Sequence, residues 1–392
     1  MRRIKLCDIC DFQGGSQPPK NQWIDSPQYG YIRMLQIRDF TQSEKVKPEY
    51  IKITSSSKVC NEDDILIARY GASVGKILTG LAGAYNVAIM KTIPDEEKIS
   101  KRFLFHFLSS QYFQNYIMNV GSRAAQAGFN KDDLQGISLK EYSLKEQADI
   151  CSILDEINVI IKKRKKQLKY IENVVKSRFI EMFGDPVVNQ NNLPVVKLGD
   201  LSELITKGAS PSWQGFTYTK DNSQTLFITS ENVREGYIDL LSPKYIENGF
   251  NEKQKRSIIK KGDFLINIVG ASIGRAAQFQ LECKANMNQA AALVRINDAR
   301  VRDKYLLIYL NSDGAKLMYD SMKSDTGRAN LSLQDVSDLL ILLPSIQKQI
   351  EFEEFVNQTD KSKYYNFTSY KYCVLAANLI RQEWMLCQTL SF

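Results

Sequence analysis

Side chains that can read the edges of base pairs are concentrated in two Gly- and Pro-containing loops of the sequence. The first loop is GGSQPPKNQW (Gly14–Trp23) and the second is KGASPSWQGFTY (Lys207–Tyr218). Arg, Lys, Asn and Gln recognise base edges in the major groove by paired hydrogen bonds. Ordinary mobile loops have the same composition, so that interpretation stays open beside base contact.

A second pair of loops, GSRAAQAGFN (Gly121–Asn130) and DTGRANLS (Asp325–Ser332), carries the same residue types. The loops as a set are predicted to contact DNA, together with basic and polar residues at nearby strand ends and turns. The candidate DNA-binding residues are Lys20, Asn21, Gln22, Arg33, Gln36, Arg69, Tyr70, Lys76, Arg123, Gln126, Lys207, Ser212, Trp213, Gln214, Asn232, Arg234, Arg275, Arg328 and Asn330.

The segment GASVGK does not match a nucleotide-binding phosphate loop. That loop needs four residues between its glycines and Ser or Thr after the lysine. Here three residues separate Gly71 from Gly75, and Ile77 follows Lys76. A tight turn after a strand, in which the glycines supply positive φ, is the predicted role, and the turn can still present basic side chains to a phosphate backbone.

No combination of residues in the sequence predicts a catalytic site. The acids of Pro94–Lys98 are adjacent in one loop, which indicates a charged surface turn rather than a nuclease cluster. His106 is the single histidine, which removes most acid–base and nucleophilic triads, and its apolar neighbours predict a packed helix residue. Neither an Asp-Pro-Pro-Tyr nor an Asn-Pro-Pro-Tyr methyltransferase loop is present. The chain is therefore predicted not to be an enzyme.

Cysteine use and hydropathy predict a cytoplasmic protein without a metal site. Seven cysteines, an odd and scattered number, argue against a disulfide framework. Cys7 and Cys10 form an isolated CxxC, whereas a zinc site needs four ligands, so buried structural thiols are predicted. The start MRRIKLCDIC lacks the apolar run of a signal peptide, and stretches such as Leu339–Leu343 are too short to span a bilayer.

The balance of charge favours a polyanionic partner. The formal net charge is +8, with 24% charged residues and 43% hydrophobic residues, as in an ordinary globular chain. Five consecutive basic residues occupy Lys162–Lys166. A solvated helix face is the usual role of such a run, and contact with phosphates is the alternative.

The sequence contains an internal repeat. DILIARYGASVGK (Asp64–Lys76) returns as DFLINIVGASIGR (Asp263–Arg275), and a weaker match pairs Ile32–Arg38 with Ile228–Arg234. The offset grows from 192 residues (Ile4 against Val196) to 202 (Arg102 against Lys304). Because insertions belong in surface loops, the matched blocks are predicted to form one scaffold that is built twice.

A long helix between the two copies must position them. Gln147–Gly184 contains no proline or internal glycine, and its apolar residues alternate at spacings of three and four. This pattern predicts a coiled-coil seam over about 37 residues, a rod on the order of 55 Å. A second, less regular helix is predicted from residue 345 onward. The residues predicted to pair the helices are Leu154, Ile161, Arg164, Leu168, Val175, Asn366 and Phe367.

The predicted fold class is α+β: two similar β-rich globules with helices, separated by two long antiparallel coiled-coil helices in a pseudo-twofold arrangement. The predicted boundaries are 1–142 for the first globule, 143–184 for the central helix, 185–344 for the second globule with a linker at 185–195, and 345–392 for the second helix. Arg164 is expected to lie near Asn366 and Phe367, with its stem in the seam and its guanidinium in water.

Over its whole length the chain resembles the specificity subunit of type I restriction–modification systems. The residues that carry this resemblance are the two blocks with GAS turns, the Leu144–Gln147 start of the long helix, and Ser177–Pro186 at its end. Each motif is modest alone, and the ordered set is specific. The polar positions Thr359, Lys363 and Asn366 of the second helix depart from the pattern and affect the expected pairing and docking.

The resemblance implies two target-recognition domains that each read half of a split double-stranded DNA sequence, with the helices as spacer. It also implies methyltransferase subunits that dock on the helices and bind S-adenosylmethionine, and a restriction and translocase subunit that uses ATP and Mg²⁺. The chain itself is expected to hold no cofactor and no metal. The alternatives are a coiled-coil adaptor without DNA affinity and an enzyme with a cryptic site.

Overall fold

A computed structural model of the chain describes residues 2–121, 128–323 and 329–386. The chain divides into two compact units. The first unit combines Met1–Lys166 with Asn366–Phe392, and the second unit is Gln167–Tyr365. Each long helix therefore contributes one half to each unit. The predicted domain boundaries at residues 142, 184 and 344 stay predictions.

The first unit is built on two four-stranded sheets and a two-stranded ribbon. The sheets have the orders β4-β3-β8-β5 and β2-β9-β6-β7, and the ribbon pairs β1 with β10. The elements are β1 (Arg3–Lys5), β2 (Cys10–Gly14), β3 (Tyr31–Leu35), α1 (Ile37–Thr41), β4 (Tyr50–Lys52), β5 (Val59–Cys60), β6 (Leu66–Ala68), β7 (Ile77–Leu78), β8 (Gly83–Tyr85), β9 (Ile89–Pro94), α2 (Lys101–Leu108), α3 (Gln111–Gly121), β10 (Ser138–Lys140) and α4 (Leu144–Phe183).

The second unit repeats this plan. Its sheets have the orders β13-β15-β14-β18 and β12-β19-β16-β17, and β11 pairs with β20. The elements are β11 (Val195–Lys197), β12 (Ser202–Lys207), β13 (Tyr218–Thr219), β14 (Thr225–Ile228), β15 (Lys244–Ile246), α5 (Gly249–Lys253), β16 (Phe264–Asn267), β17 (Ala276–Gln278), β18 (Ala285–Met287), β19 (Ala291–Ile296), α6 (Asp303–Leu310), α7 (Asp313–Met322), α8 (Leu333–Asp338), β20 (Leu340–Leu342) and α9 (Ile346–Leu386). The repeated scaffold and the α+β class are confirmed.

The GAS segments form the predicted turns in both units. A 3-10 helix covers Gly71–Ser73 between β6 and β7, and another covers Gly270–Ser272 between β16 and β17. The first glycine of each turn has φ of 73° or 77°, a left-handed conformation that glycine adopts without steric cost. The prediction of a tight turn rather than a phosphate loop is confirmed.

One repeat match was wrong by three residues, namely Ile32–Arg38 against Ile228–Arg234. β3 runs parallel to β8, and β14 runs parallel to β18. The last carbonyls of the two strands, Leu35 O and Ile228 O, each accept a 3.1 Å hydrogen bond from the asparagine that follows the parallel neighbour. Leu35 is therefore equivalent to Ile228. The sequence match follows the identities Ile32–Ile228 and Arg38–Arg234 instead of this backbone pairing.

Residues 101–121 form two helices, α2 and α3, rather than one continuous helix. The break falls at Ser109 and Ser110, and Ser110 Oγ accepts a 3.3 Å hydrogen bond from Phe113 N at the start of α3. Ser312 Oγ does the same for Ala315 N in the second unit, at 3.1 Å. Ser110 and Ser312 therefore cap the helices that follow them, because each side-chain oxygen accepts a hydrogen bond from a backbone N–H that has no acceptor within its own helix.

Two heptad rows of α4 form its inward face: Ile150, Ile157, Arg164, Ile171 and Arg178 in one row, and Leu154, Ile161, Leu168, Val175 and Met182 in the other. Every position from Ile150 to Met182 in those rows is buried or half-buried, including Arg164, whereas the intervening residues Val159 and Val174 are exposed. In the first unit, Ile380 and Trp384 of α9 pack on the cluster that contains Ile150, Cys151 and Leu154 of α4. The apolar seam predicted from the sequence is therefore buried against α9.

Polar contacts show the direction in which the helices pair within each unit. In the first unit, Arg164 Nη1 donates a 2.8 Å hydrogen bond to Asn366 Oδ1, so the two residues predicted to meet are in contact. In the second unit, Lys363 Nζ lies 3.0 Å from Glu172 Oε1. Arg381 Nη2 lies 3.4 Å from Asn158 Oδ1 in the first unit, and the Arg178 guanidinium lies over the Phe355 ring in the second. In each unit, residue numbers therefore fall along α9 as they rise along α4, which is antiparallel pairing. Phe367 is exposed and lies beside Lys371 rather than in the seam.

A buried glutamine joins the start of each long helix to its globule. Gln147 Oε1 accepts from Ser100 N at 2.9 Å, and Gln147 Nε2 donates to the carbonyls of Lys98 and Tyr142. Gln349 makes the same three bonds in the second unit, with Arg302 N and the carbonyls of Arg300 and Pro344. Each long helix is thus fixed where it leaves its sheet. Among the described helices, none is apolar over a length that would cross a bilayer.

Candidate nucleic-acid interface

The first predicted loop leaves β2 through a glycine that has no room for a side chain. A Cβ atom on Gly15 would lie 2.0 Å from Asn86 O, and a Cβ atom on the equivalent Gly208 would lie 1.8 Å from Met287 O. Gly15 N also donates to Ile89 O at 3.0 Å. Both loops therefore start in close contact with the backbone at the end of β8 or β18, in the other sheet of the same unit, and this contact fixes where each loop begins.

Replacing Gly15 by alanine is expected to lower the free energy of unfolding by about 1–3 kcal/mol, because the backbone must move to accept the methyl group. Hydrogen exchange at Gly15 and Ser16 should rise, and the melting temperature should fall by several degrees. Asn21→Ala, an exposed change in the same loop, is the control and should leave both unchanged. Equal behaviour of the two variants would contradict the close approach.

Glu49 gathers three polar side chains of the first unit. Arg38 Nη2 donates to Glu49 Oε2 at 2.7 Å, Gln36 Nε2 donates to the same oxygen at 3.3 Å, and Lys20 Nζ donates to Oε1. The hydrogen bond from Lys20 is the main cause of a lowered pKa at Glu49, and burial opposes it. Of these residues, Lys20 and Gln36 were predicted from the sequence, and Arg38 and Glu49 were missed.

Lys20–Gln22 form an exposed 3-10 helix, so the predicted residues Lys20, Asn21 and Gln22 all face solvent. The ammonium of Lys20 lies 3.8 Å from the centre of the Trp23 ring, a cation–π contact, and Trp23 Nε1 donates to Pro18 O at 3.1 Å. The predicted residue Arg33 is half-buried on β3, and its Nη2 donates to Oδ1 of the buried Asp39 at 2.7 Å. Arg33 therefore anchors the turn that carries Gln36.

The turn after β6 meets the end of the predicted loop Gly121–Asn130. Tyr70 forms a β-bridge with Gly128, and Arg69 Nε donates to Phe129 O at 3.1 Å. The two predicted residues Arg69 and Tyr70 thus hold the returning chain, and Tyr70 keeps an exposed ring. Lys76, at the end of the turn, is exposed.

The second unit presents a different loop at the same point of its scaffold. A 3-10 helix covers Ser212–Gln214, and the Trp213 side chain is 85% exposed. Ser212 and Lys207 are exposed, and the backbone carbonyl of Gln214 accepts a 3.0 Å hydrogen bond from Lys253 Nζ. An indole in water at the tip of a loop offers a large flat surface for stacking.

Asn232 and Arg234 are brought together by Asp239. Asn232 is buried; its Oδ1 accepts from Thr229 N at 2.9 Å and its Nδ2 donates to Asp239 O at 2.9 Å. Its amide is used inside the unit, so it shapes the turn rather than offering a polar edge to solvent. Arg234 Nε lies 3.3 Å from Asp239 Oδ2, and its side chain is partly exposed.

The remaining predicted residues lie at the second GAS turn or beyond the described ranges. Arg275 is half-buried at the end of that turn, and Asn330 is exposed and forms a β-bridge with Val269. Arg123, Gln126 and Arg328 fall outside the described residues. Within the described residues, no group of three or more His, Cys, Asp and Glu side chains is placed to hold a metal ion.

His106 is a buried structural residue. Its Nε2 lies 2.8 Å from Asp155 Oδ1, while Nδ1 is buried and has no hydrogen-bond partner among the residues that the structure describes. Burial lowers the pKa of His106, and Asp155 opposes this shift. A proton on Nδ1 would place an unsatisfied charged donor in the core, which explains why the pKa of His106 is lowered.

Acidification is therefore expected to destabilise the first unit. The unfolded histidine binds a proton below about pH 6.5 and the folded one only at lower pH, so stability is full above pH 6.5 and is lost as the pH falls. The loss is at most about 1.4 kcal/mol per pH unit. Because His106 is the only histidine, melting curves of wild type and His106→Gln between pH 7 and pH 5 isolate this effect. Parallel curves would contradict it.

Comparison with known proteins gives a family match over most of the chain. The family model described as the type I restriction modification DNA specificity domain matches residues 1–170 and 191–364. The chain is 24% identical over 320 residues to the EcoBI specificity subunit of Escherichia coli, an alignment covering 76% of this chain and 66% of that subunit. It is 19% identical over 370 residues to the MjaVIII specificity subunit of Methanocaldococcus jannaschii, covering 91% and 85%.

Two solved structures share the fold. One belongs to a study of complex assembly and conformational transition of a type I restriction–modification system, with a TM-score of 0.55, 18% identity, and coverage of 97% of this chain and 96% of that one. The other is the S subunit of such a system from M. genitalium, with a TM-score of 0.50, 12% identity, and coverage of 99% and 96%. Since the family model matches most of the sequence, the chain belongs to the type I restriction–modification DNA specificity family.

Proposed function

We propose that the chain is the DNA-recognition subunit of a type I restriction–modification complex, in which each unit reads one half of a bipartite double-stranded target. The observation that carries this proposal is the combination of one scaffold with two different loops. Lys20–Gln22 and Ser212–Gln214 follow equivalent strands and equivalent glycines, yet they present different side chains. Two units with the same scaffold but different loop side chains would recognise two different DNA sequences.

The long helices are proposed to set the distance between the two half-sites. The 40 residues of α4 correspond to about 60 Å of helix. Successive major-groove faces of a duplex are about 34 Å apart, so a strut of this length can separate two readers by one turn or somewhat more. The buried glutamines Gln147 and Gln349 support this role, because they hold the start of each helix against the backbone of its own globule.

Methyltransferase subunits are proposed to dock on the exposed faces of the long helices. Ile153, Val159 and Ile160 of α4 are exposed apolar residues in the first unit, and Val174 is one in the second unit. Exposed apolar side chains along one helix support a protein partner. S-adenosylmethionine, ATP and Mg²⁺ are proposed to bind the methyltransferase and restriction subunits, and this chain is proposed to be non-catalytic.

The test is selection of randomised duplexes by the complex of this chain with its methyltransferase subunits. We expect one motif with two separated specific halves, and an affinity that falls steeply between 50 and 200 mM salt, as phosphate contacts require. The methyltransferase subunits without this chain are the control and should select no motif. Absence of any motif would support the adaptor alternative, and turnover by the chain alone would support an enzyme.

A further inference from the structure

Sheet pairing identifies which residues of the two units are equivalent beside the predicted loops. Met34 N donates to Glu49 O across the first sheet, and Phe227 lies opposite Lys244 in the second. Met34 pairs with Ala84 and Phe227 with Asn286, at matching positions of the parallel neighbours β8 and β18. Glu49 and Lys244 therefore occupy the same place in the two units.

The residue three positions after the end of β3 in the first unit, or of β14 in the second, is equally well defined. Leu35 ends β3 and Ile228 ends β14, and both begin the same turn. Asp39 Oδ2 accepts from Gln36 N, and Asn232 Oδ1 accepts from Thr229 N, each at 2.9 Å. Within this shared turn, Arg38 of the first unit corresponds to Glu231 of the second.

These two positions form an ion pair in both units, with the charges exchanged. Arg38 Nη2 lies 2.7 Å from Glu49 Oε2, and Lys244 Nζ lies 2.8 Å from Glu231 Oε2. The turn residue is the more exposed member each time: 49% for Arg38 against 24% for Glu49, and 76% for Glu231 against 41% for Lys244. Glu49 and Lys244 therefore support the ion pairs, and Arg38 and Glu231 extend further into solvent.

An aromatic ring completes the arrangement. Ile24 bridges Tyr50 in the first unit and Thr219 pairs with Tyr245 in the second, so the preceding residues Trp23 and Tyr218 are equivalent. Lys20 Nζ lies 3.8 Å from the centre of the Trp23 ring, and Lys244 Nζ lies 5.9 Å from the centre of the Tyr218 ring. In each unit a lysine that holds the acid of the ion pair also lies over this ring.

A neighbouring ion pair behaves differently and serves as an internal reference. Arg33 pairs with Asp39 in the first unit, whereas the equivalent residues of the second unit are Leu226 and Asn232, so both charges are absent together. The scaffold does not need that pair. A partly exposed pair such as Arg38–Glu49 contributes little to stability, so folding does not explain why this pair recurs with its sign reversed.

We infer that position 38 in the first unit and position 231 in the second are base-reading positions of opposite chemistry, each held by its strand partner. This inference rests on the proposed function. The guanidinium of Arg38 has only donors and selects guanine, whose major-groove edge has two acceptors. The carboxylate of Glu231 has only acceptors and selects cytosine, whose edge offers an amino donor. Glu49 and Lys244 are positioning residues.

The experiment exchanges the charges of the second pair in the double variant Glu231→Arg, Lys244→Glu, which preserves the ion pair and the net charge. The matched control exchanges another pair on the same unit, Lys261→Glu with Glu282→Lys, whose side chains are joined at 2.6 Å and are mostly exposed. Both variants and wild type are assembled with the methyltransferase subunits and used to select randomised duplexes. Glu231→Gln and Arg38→Gln are tested in parallel, because they need no new ion pair.

We expect the double variant to replace cytosine by guanine at one position of one half-site, with a preference changed by about tenfold to a hundredfold. Arg38→Gln should weaken guanine at one position of the other half-site only, and the control should select the wild-type motif. If the double variant does not assemble, loss of the cytosine preference in Glu231→Gln carries the test. An unchanged motif in the assembled variants overturns the inference, whereas a wild-type complex that selects no motif overturns the proposed function.

Discussion

Replacing Phe179 by alanine is expected to lower the free energy of unfolding of the second unit by about 3–5 kcal/mol, the usual cost of removing a buried aromatic ring. Phe179 lies on α4, and its ring centre is 5.7 Å from that of Tyr305 on α6 and 5.6 Å from that of Phe352 on α9. Phe183 completes the cluster at 5.2 Å. One ring therefore joins both long helices to the globule.

Ile180 provides the matched control for Phe179→Ala. It is the next residue on the same helix and is 42% exposed, so Ile180→Ala should change stability by less than about 1 kcal/mol. Thermal melting and hydrogen exchange of residues 305–310 report the difference. Phe179→Ala should melt on the order of 10 °C lower. Similar losses in the two variants would mean that the aromatic cluster does not hold the helices.

Replacing Asp263 by alanine is expected to destabilise the second unit by about 3–5 kcal/mol, because it leaves a buried charge without a partner. Asp263 accepts two hydrogen bonds from Arg295, at 2.8 Å from Nε and 2.7 Å from Nη2, and a third from Lys260 N at 2.7 Å. Both side chains are mostly buried. The variant would leave the guanidinium in the core and a backbone amide unsatisfied.

The control for Asp263→Ala is Glu282→Ala, which removes one partner of an exposed ion pair with Lys261. Exposed pairs contribute little to stability, so this variant should melt close to wild type. Denaturant unfolding of both variants at pH 7 gives the comparison. A loss below about 1 kcal/mol in Asp263→Ala would show that Arg295 finds water or another acceptor, contrary to its buried position.

The long helices and the repeat could be predicted from the sequence because their signals are local and redundant. The heptad rows of α4 recur over many turns, and Asp185–Pro186 marks its end next to Phe183. The polar residues of α9 obscured its pattern, yet Asn366 is used for a hydrogen bond with Arg164 rather than exposed to water. When each helix is considered alone, each residue of such a polar pair looks like an interruption of the apolar pattern.

The register of the weaker repeat could not be predicted, because it depends on pairing between strands that are distant in sequence. Matching Arg38 with Arg234 is the natural choice by identity, whereas the hydrogen bonds at Leu35 and Ile228 match Arg38 with Glu231. Likewise, Glu49 and Lys244 have no local signal, since each acts through partners more than ten residues away. Side-chain clusters that span a sheet become visible only when the sheet is known.

The division of labour between two readers can be tested most directly by comparing two triple variants. One replaces the exposed loop residues Lys20, Asn21 and Gln22 by alanine, and the other replaces Ser212, Trp213 and Gln214. Each variant, assembled with the methyltransferase subunits, is used to select randomised duplexes. We expect the first to lose base preference in one half of the motif and the second to lose it in the other half. Loss in the same half, or in neither, would contradict the account.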